Sequence, residues 1–308
     1  MNISFKGEDA IVLSSESYDV TILPERGAKI ASILYKPRNL ELLSQLPEPK
    51  YQAKPDPSVG FTSEDGTGFD DMFPSILPGE YLWESGKVTD IHDHGNVWYR
   101  SWSYQIISER ECLCSVDIPE FSCLLEKSIR INGTGIQVAY ALTNNSEEPF
   151  NGLWAAHILF AMREGMFMQI DSPSVEIINA MENSLLGKHS FGKRYTYATQ
   201  SEEWKALATF DSRSQSYAKY YFANPSGISH CSLRDDQNDV TIRIDFDPEI
   251  TPYLGIWKNE RGWGDQMNVG IEPATSGMDA PGLAEEFDMR TTFPANEVTV
   301  WDLRISCV

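Results

Sequence analysis

Basic residues are in short supply: 25 lysines and arginines stand against 45 aspartates and glutamates, for a formal net charge of −20. An excess of this size repels phosphate backbones and anionic lipid, so no nucleic-acid partner and no membrane partner is expected. Long apolar runs are missing too, and no segment is expected to cross a membrane as a helix. The five cysteines, Cys112, Cys114, Cys123, Cys231 and Cys307, are odd in number and form no C-x-x-C pair. That argues against a disulfide framework and against a zinc ribbon. They read as small buried hydrophobes of a protein in a reducing, cytoplasmic compartment. The segment Met1–Ala10 lacks the apolar centre of a secretory signal. G-x-S-x-G, P-loop, G-x-G-x-x-G and H-E-x-x-H patterns do not occur.

What is present is alternation. Hydrophobic residues make up 41% of the 308, enough for a sizeable core and too many for a disordered chain. Ile136, Val138, Tyr140 and Leu142 alternate with Gln137, Ala139 and Ala141. Val240, Ile242, Ile244 and Phe246 alternate with Thr241, Arg243 and Asp245. Both runs predict half-buried antiparallel strands. Val97–Ile107 reads as a strand with aromatics on both faces, and Val298–Ile305 as a closing strand. Turn signals fall at Asn132-Gly133, Asn144–Ser146, Asn224–Gly227 and Asp235–Asn238. Helical pattern is limited to single turns such as Asp70–Phe73 and Ala284–Phe287, and the proline-rich stretch Leu46–Pro57 reads as a loop. Many short strands without βαβ alternation predict an all-β protein, a large antiparallel β-sandwich. Length alone suggests about two domains at ~150 residues each, but large all-β folds often use this length for one. The even strand pattern favours a single domain spanning 1–308.

Histidine is scarce, with five in all, so each cluster can be weighed. His92 and His94, in Ile91-His92-Asp93-His94-Gly95-Asn96-Val97-Trp98, would share one face of a strand with Asp93 on the other. Two imidazoles on one face make half a metal site. No second such pair exists, so a solvated strand end is the ordinary reading. His157 lies in the apolar run Gly152–Phe160, which predicts a strand through the core. It is either a buried histidine satisfied by a backbone carbonyl or a proton donor at the floor of a pocket. Glu272, in Asn268-Val269-Gly270-Ile271-Glu272-Pro273, closes an apolar strand where active-site groups are often found. An exposed strand-end glutamate is the simpler alternative. Trp257 and Trp263 can stack on a sugar face or fill a core. With 45 acidic residues, a second catalytic carboxylate cannot be picked out by spacing.

Taken in order, Gly68-Phe69-Asp70-Asp71-Met72-Phe73-Pro74, Asp93–Trp98, Trp154–Phe160 and Asn268–Pro273 resemble four segments of the galactose mutarotase-like superfamily, the aldose 1-epimerase family. The resemblance implies a galactose mutarotase-like supersandwich and interconversion of the α and β anomers of a free aldose. It implies Glu272 as general base and His157 as general acid. His94, Asp93, Arg100, Trp257 and Phe73 would bind the sugar. No cofactor and no metal is implied, and the partner is a small sugar. Sugar-phosphate epimerases of this superfamily carry an arginine where Thr67 stands. Arg26 or Arg100 would have to replace it, and the net charge also points to a neutral substrate. The family's Trp-Asn-Pro element is here Trp257-Lys258-Asn259. A non-catalytic carbohydrate-binding protein on the same fold is the alternative, and a metal-assisted sugar isomerase or lyase using His92, His94 and an acidic residue ranks third.

Overall fold

The structure, a computed structural model, describes residues 3–61, 66–183, 185–223 and 228–308. Among these residues there are twenty-four strands, numbered β1 to β24 in chain order, two short α-helices and one 3-10 turn, Lys36–Arg38. Twelve strands form the larger sheet. It starts with β1 (Ile3–Phe5), β2 (Glu8–Ser14), β3 (Tyr18–Leu23) and β4 (Lys29–Tyr35), with β5 (Leu40–Glu41) attached to β4. It continues through β6 (Gly68–Met72), β14 (Ala155–Ala161), β22 (Met267–Ala274) and β21 (Tyr253–Glu260). It ends with β18 (Ser216–Phe222), β16 (Ser174–Asn179) and β17 (Arg194–Ala198).

The second sheet has eight strands. Their order is β15 (Phe167–Gln169), β19 (His230–Asp235), β20 (Val240–Phe246), β24 (Glu297–Cys307), β12 (Gly135–Asn144), β11 (Cys123–Asn132), β10 (Glu111–Ile118) and β9 (Ser103–Ser108). The pairs β7 (Gly79–Leu82) with β8 (Val88–Ile91), and β13 (Phe150–Gly152) with β23 (Thr291–Phe293), stand apart. The helices are α1 (Glu202–Ala208) and α2 (Pro281–Glu286).

The sheets are antiparallel, and the fold is the all-β sandwich that the alternation predicts. The period-two runs become β12, β20 and β24. Their apolar faces, with Phe69, Ile158, Ile256 and Ile271 of the larger sheet, belong to one continuous core. Burying such faces is the main stabilising term of a sandwich, at about 25 cal/mol per Å² of apolar surface. The stretch from Leu46 to Pro57 contains neither strand nor helix, and Ala284–Phe287 overlaps α2. All five cysteines are free and four are buried. The turn expected at Asn224–Gly227 lies outside the described residues.

Two expectations need correction. Asp70–Phe73 is not a helical turn: Gly68–Met72 is the central strand β6, buried along its whole length. Its two carboxylates hid that role, because their partners come from distant segments. Asp71 faces Lys127 of the opposite sheet at 2.7 Å, with both side chains fully buried. Asp70 points the other way and meets Lys29 at 2.8 Å. Of Val97–Ile107, only the part within β9 is strand. Trp98 and Trp102 sit in the preceding turns and are buried there, each donating its indole N–H to a backbone carbonyl (Asp93 and Val97).

Candidate active site

Four neighbouring strands of the larger sheet, β14, β22, β21 and β18, turn alternate residues towards one face, away from the core between the sheets. Strand register lines these residues up in rows. Ile158 pairs with Ile271 and Ala155 with Ala274, which sets His157 opposite Glu272. On one side His157 pairs with Asp70 of β6. On the other, Glu272 pairs with Gly255, and Gly255 with Tyr221. Two residues along, a second row runs Leu159, Gly270, Trp257, Lys219.

Both rows contain a glycine where a side chain would not fit. A Cβ on Gly270 would lie 2.7 Å from Glu272 Oε1 and 2.9 Å from Trp257 Cβ. On Gly255 it would lie 3.0 Å from the Tyr221 ring. The space left open is what Glu272 and Tyr221 occupy.

Above these rows lies a cleft of about 160 Å³, lined by Phe61, His94, His157, Lys219, Trp257 and Asp279 among others. Trp263 and Gln266, from the loop after β21, form another part of the wall. Asn259 holds that loop by exchanging two hydrogen bonds with the backbone of Trp263. Trp257 is oriented by its indole N–H, which donates to Asn268 Oδ1 at 3.1 Å.

Glu272 is fully buried, and its two oxygens have different surroundings. Oε2 accepts a hydrogen bond from the Lys219 ammonium. Oε1 has no hydrogen-bond partner among the described residues and lies 3.8 Å from His157 Nε2. Lys219 Nζ is also 3.5 Å from Asp279 Oδ1, which accepts the Tyr221 hydroxyl. His94 is in the left-handed region at φ 59°. Its Nδ1 meets Asp93 Oδ1 at 2.9 Å, while Phe61 N–H donates to Asp93 Oδ2 at 2.8 Å. The Phe61 ring stacks on His94 with centroids 4.4 Å apart and presents an edge contact to His157 at 5.4 Å.

The electrostatics follow from burial. Desolvation, helped by the electrostatic influence of neighbouring His94, Lys219 and Lys29, holds His157 well below its ordinary 6.5, so the imidazole is neutral near pH 7. Desolvation raises Glu272 above 4.5 while Lys219 opposes the rise. For Lys219, burial disfavours the ammonium, but Asp279 and Glu272 outweigh it and leave the pKa raised. The result is a buried carboxyl group with one unpartnered oxygen, among the described residues, beside a neutral imidazole.

Of the residues that the sequence singled out, His157, His94 and Trp257 line this cleft, and Glu272 lies buried beneath it against His157 and Lys219. Asp93 stands behind His94 as its brace. The backbone-carbonyl partner considered for His157 is not found: Nδ1 has no hydrogen-bond partner among the described residues. Three placements differ from expectation. Arg100 is outside the cleft, held by Glu120 and the Asn96 carbonyl because its segment turns away after Val97. Phe73 is fully buried against Phe121, Phe150 and Phe293 and reaches the site only through its backbone, which bridges to Gly95. His92 and His94 do not share a strand face, because β8 ends at Ile91; His92 packs its ring edge on Tyr99. Arg26 is likewise engaged elsewhere, by Glu8.

The sequence reading missed Lys219, Asp279, Tyr221 and Phe61. A lone lysine in the aromatic strand Tyr-Ala-Lys-Tyr-Tyr-Phe was a usable signal, since a buried lysine needs carboxylate partners. A larger groove of about 610 Å³ beside β7 holds Glu80, Glu84, Glu285 and Arg290 but none of the histidines, and offers no comparable acid–base pair. Among the described residues, no three His, Cys, Asp or Glu side chains are arranged to hold a metal ion.

No protein-family model matches the chain, and no curated protein matches it in sequence. Solved structures do match. A protein of Synechocystis sp. PCC 6803 aligns with 100% of this chain and 99% of its own, at 14% identity and a TM-score of 0.73. A galactose mutarotase related enzyme from Lactobacillus acidophilus aligns with 97% of each chain, at 15% identity and a TM-score of 0.71. A GalM/aldose epimerase homologue from C. elegans covers 97% of this chain and 98% of its own, at 10% identity and a TM-score of 0.67. At such identities the likeness is one of architecture, and the architecture of this chain is the galactose mutarotase-like fold.

Proposed function

We propose that the protein is a mutarotase that interconverts the α and β anomers of a free, non-phosphorylated aldose by acid–base ring opening. One observation carries this reading. The unpartnered Oε1 of Glu272 lies 3.8 Å from His157 Nε2, buried directly beneath a tryptophan-walled cleft that His157 and Lys219 line.

Glu272 takes the proton of the anomeric hydroxyl as C1 becomes a carbonyl and the bond from C1 to the ring oxygen breaks. His157 supplies the ring oxygen with its proton. A neutral imidazole can do this through its N–H, polarising the oxygen as charge develops on it. Rotation about C1–C2 and the reverse proton transfers close the other anomer. His94, fixed by Asp93 and Phe61, orients the sugar near the ring oxygen. Trp257 and Trp263 offer flat apolar surface to its C–H face.

Among the described residues, the two lysines at or beside the cleft are already matched, Lys219 by Glu272 and Asp279 and Lys29 by Asp70. That balance supports a neutral substrate. The five free cysteines support a cytoplasmic setting.

The test is ¹H NMR exchange spectroscopy across free hexoses and pentoses. Wild-type protein should accelerate anomer exchange for at least one of them. Glu272→Gln and His157→Gln should each slow it by about 100-fold or more. Full rate in either variant would refute the role assigned to that residue. Sugar binding without faster exchange would leave a carbohydrate-binding protein.

A further inference from the structure

Lys219 takes no part in the reaction as written, yet it is buried in the cleft floor and hydrogen-bonded to the proposed base. We propose that Lys219 is a positioning residue, which grips Glu272 by Oε2, keeps it ionised and leaves Oε1 as the oxygen that meets the sugar. This rests on the reading of Glu272 as base and adds the device that prepares it.

The geometry supports a fixed brace. Lys219 sits on β18, one strand beyond β21, and reaches Glu272 beside the gap left at Gly255. Its ammonium is shared with Asp279 at 3.5 Å. Asp279 is itself anchored. Tyr221 donates its hydroxyl to Oδ1, and the Asp279 carbonyl accepts the backbone N–H groups of Ile76 and Leu77 at 2.9 Å each. Asp279 also has a left-handed backbone, φ 65°, a conformation kept only where surrounding contacts hold it. Tyr221, Asp279, Lys219 and Glu272 thus form one hydrogen-bonded and ion-paired chain with a single cation between two carboxylates. An ammonium so matched is not a free amine, which argues against a nucleophilic lysine.

The groups facing Glu272 are Lys219 and Tyr221 from β18, Asp279 from the loop after β22, His157 from β14 and His94 from the loop after β8. Among them Lys219 and Asp279 act with opposite sign on its charge. Removing the lysine should make Glu272 easier to protonate, and removing the aspartate charge should make it harder. A residue that only filled space would not produce that pair of signs.

The experiment is a ¹³C NMR titration of protein labelled at the glutamate carboxylates, without ligand, with the Glu272 signal assigned from Glu272→Gln. Lys219→Met should raise the proton affinity of Glu272 about tenfold or more. Lys219→Arg should stay near wild type, and Asp279→Asn should lower the affinity. An unchanged midpoint in Lys219→Met would overturn the proposal. Should that variant not fold, an unchanged or raised midpoint in Asp279→Asn would do the same. Because the titration needs no sugar, it decides the pairing whether or not an aldose is turned over. Retained activity in Glu272→Gln would count against the base assignment instead. On an aldose that the wild type interconverts, Lys219→Met should move the acid limb of kcat/KM to higher pH, and Lys219→Arg should restore it.

Discussion

Mild acid should weaken this fold through His157, by an amount set by the ring's surroundings. The side chain is buried on β14, and burial with His94, Lys219 and Lys29 nearby holds its pKa well below 6.5. In the unfolded chain the same imidazole takes up a proton near 6.5. A depressed folded pKa means that stability is intact above the unfolded value and falls as the pH drops from there towards the folded one. At about pH 5.5 the unfolded state gains RT ln(1 + 10), roughly 1.4 kcal/mol. Against a total stability of about 5–15 kcal/mol this is measurable. The assay is urea unfolding of wild type and His157→Gln at matched pH values from about 8 down to about 5.5. Glutamine carries no proton to gain, so the variant's unfolding free energy should rise relative to wild type by about 1.4 kcal/mol across that interval. Glu272, with its raised pKa, contributes in the opposite sense and is common to both proteins. Parallel curves would refute the argument, because they would mean that folding does not perturb His157.

Two further outcomes follow from contacts described above. Gly270→Ala places a methyl group against Glu272 Oε1 and should slow anomer exchange about 100-fold if the proposed base is displaced by about an ångström. Near-wild-type exchange would show that the space at Gly270 is not needed. Lys127→Met leaves Asp71 in the core without its ammonium partner, although Trp154 Nε1 still donates to it, and should cost about 3–5 kcal/mol in urea unfolding. Adding Asp71→Asn should recover part of that loss, and no recovery would refute the charge argument.

How much of this was legible in the sequence depended on range. The strands β12, β20 and β24 are readable because period two is a local property. Strand β6 was not, since Gly-Phe-Asp-Asp-Met looks like a turn until Lys29 and Lys127 are known to meet its carboxylates. The same limit applies to the site. His157 and Glu272 stood out as polar residues in apolar strands, and the resemblance supplied their roles. That they face each other is set by the pairing of β14 with β22, strands far apart in the chain. Lys219 and Asp279 escaped notice because each makes sense only beside the other. Arg100 was misplaced for the converse reason: an arginine near the His94 segment looks available until Glu120 is seen to hold it.

The pair Asp70–Asp71 has a consequence for how the chain finds this arrangement. Adjacent residues of a strand face opposite ways, so Lys29 and Lys127 grip β6 from its two sides. Slide the strand by one residue in one direction, and Asp70 reaches Lys127 while Lys29 faces Phe69. Slide it the other way, and Asp71 reaches Lys29 while Met72 faces Lys127. Either error strands one buried lysine and one buried aspartate, each at a cost of several kcal/mol. The two ion pairs therefore work as an indexing pin that rejects misaligned assemblies. Because His157 is paired directly with Asp70, the alignment they protect is the one on which the row of His157 and Glu272 depends.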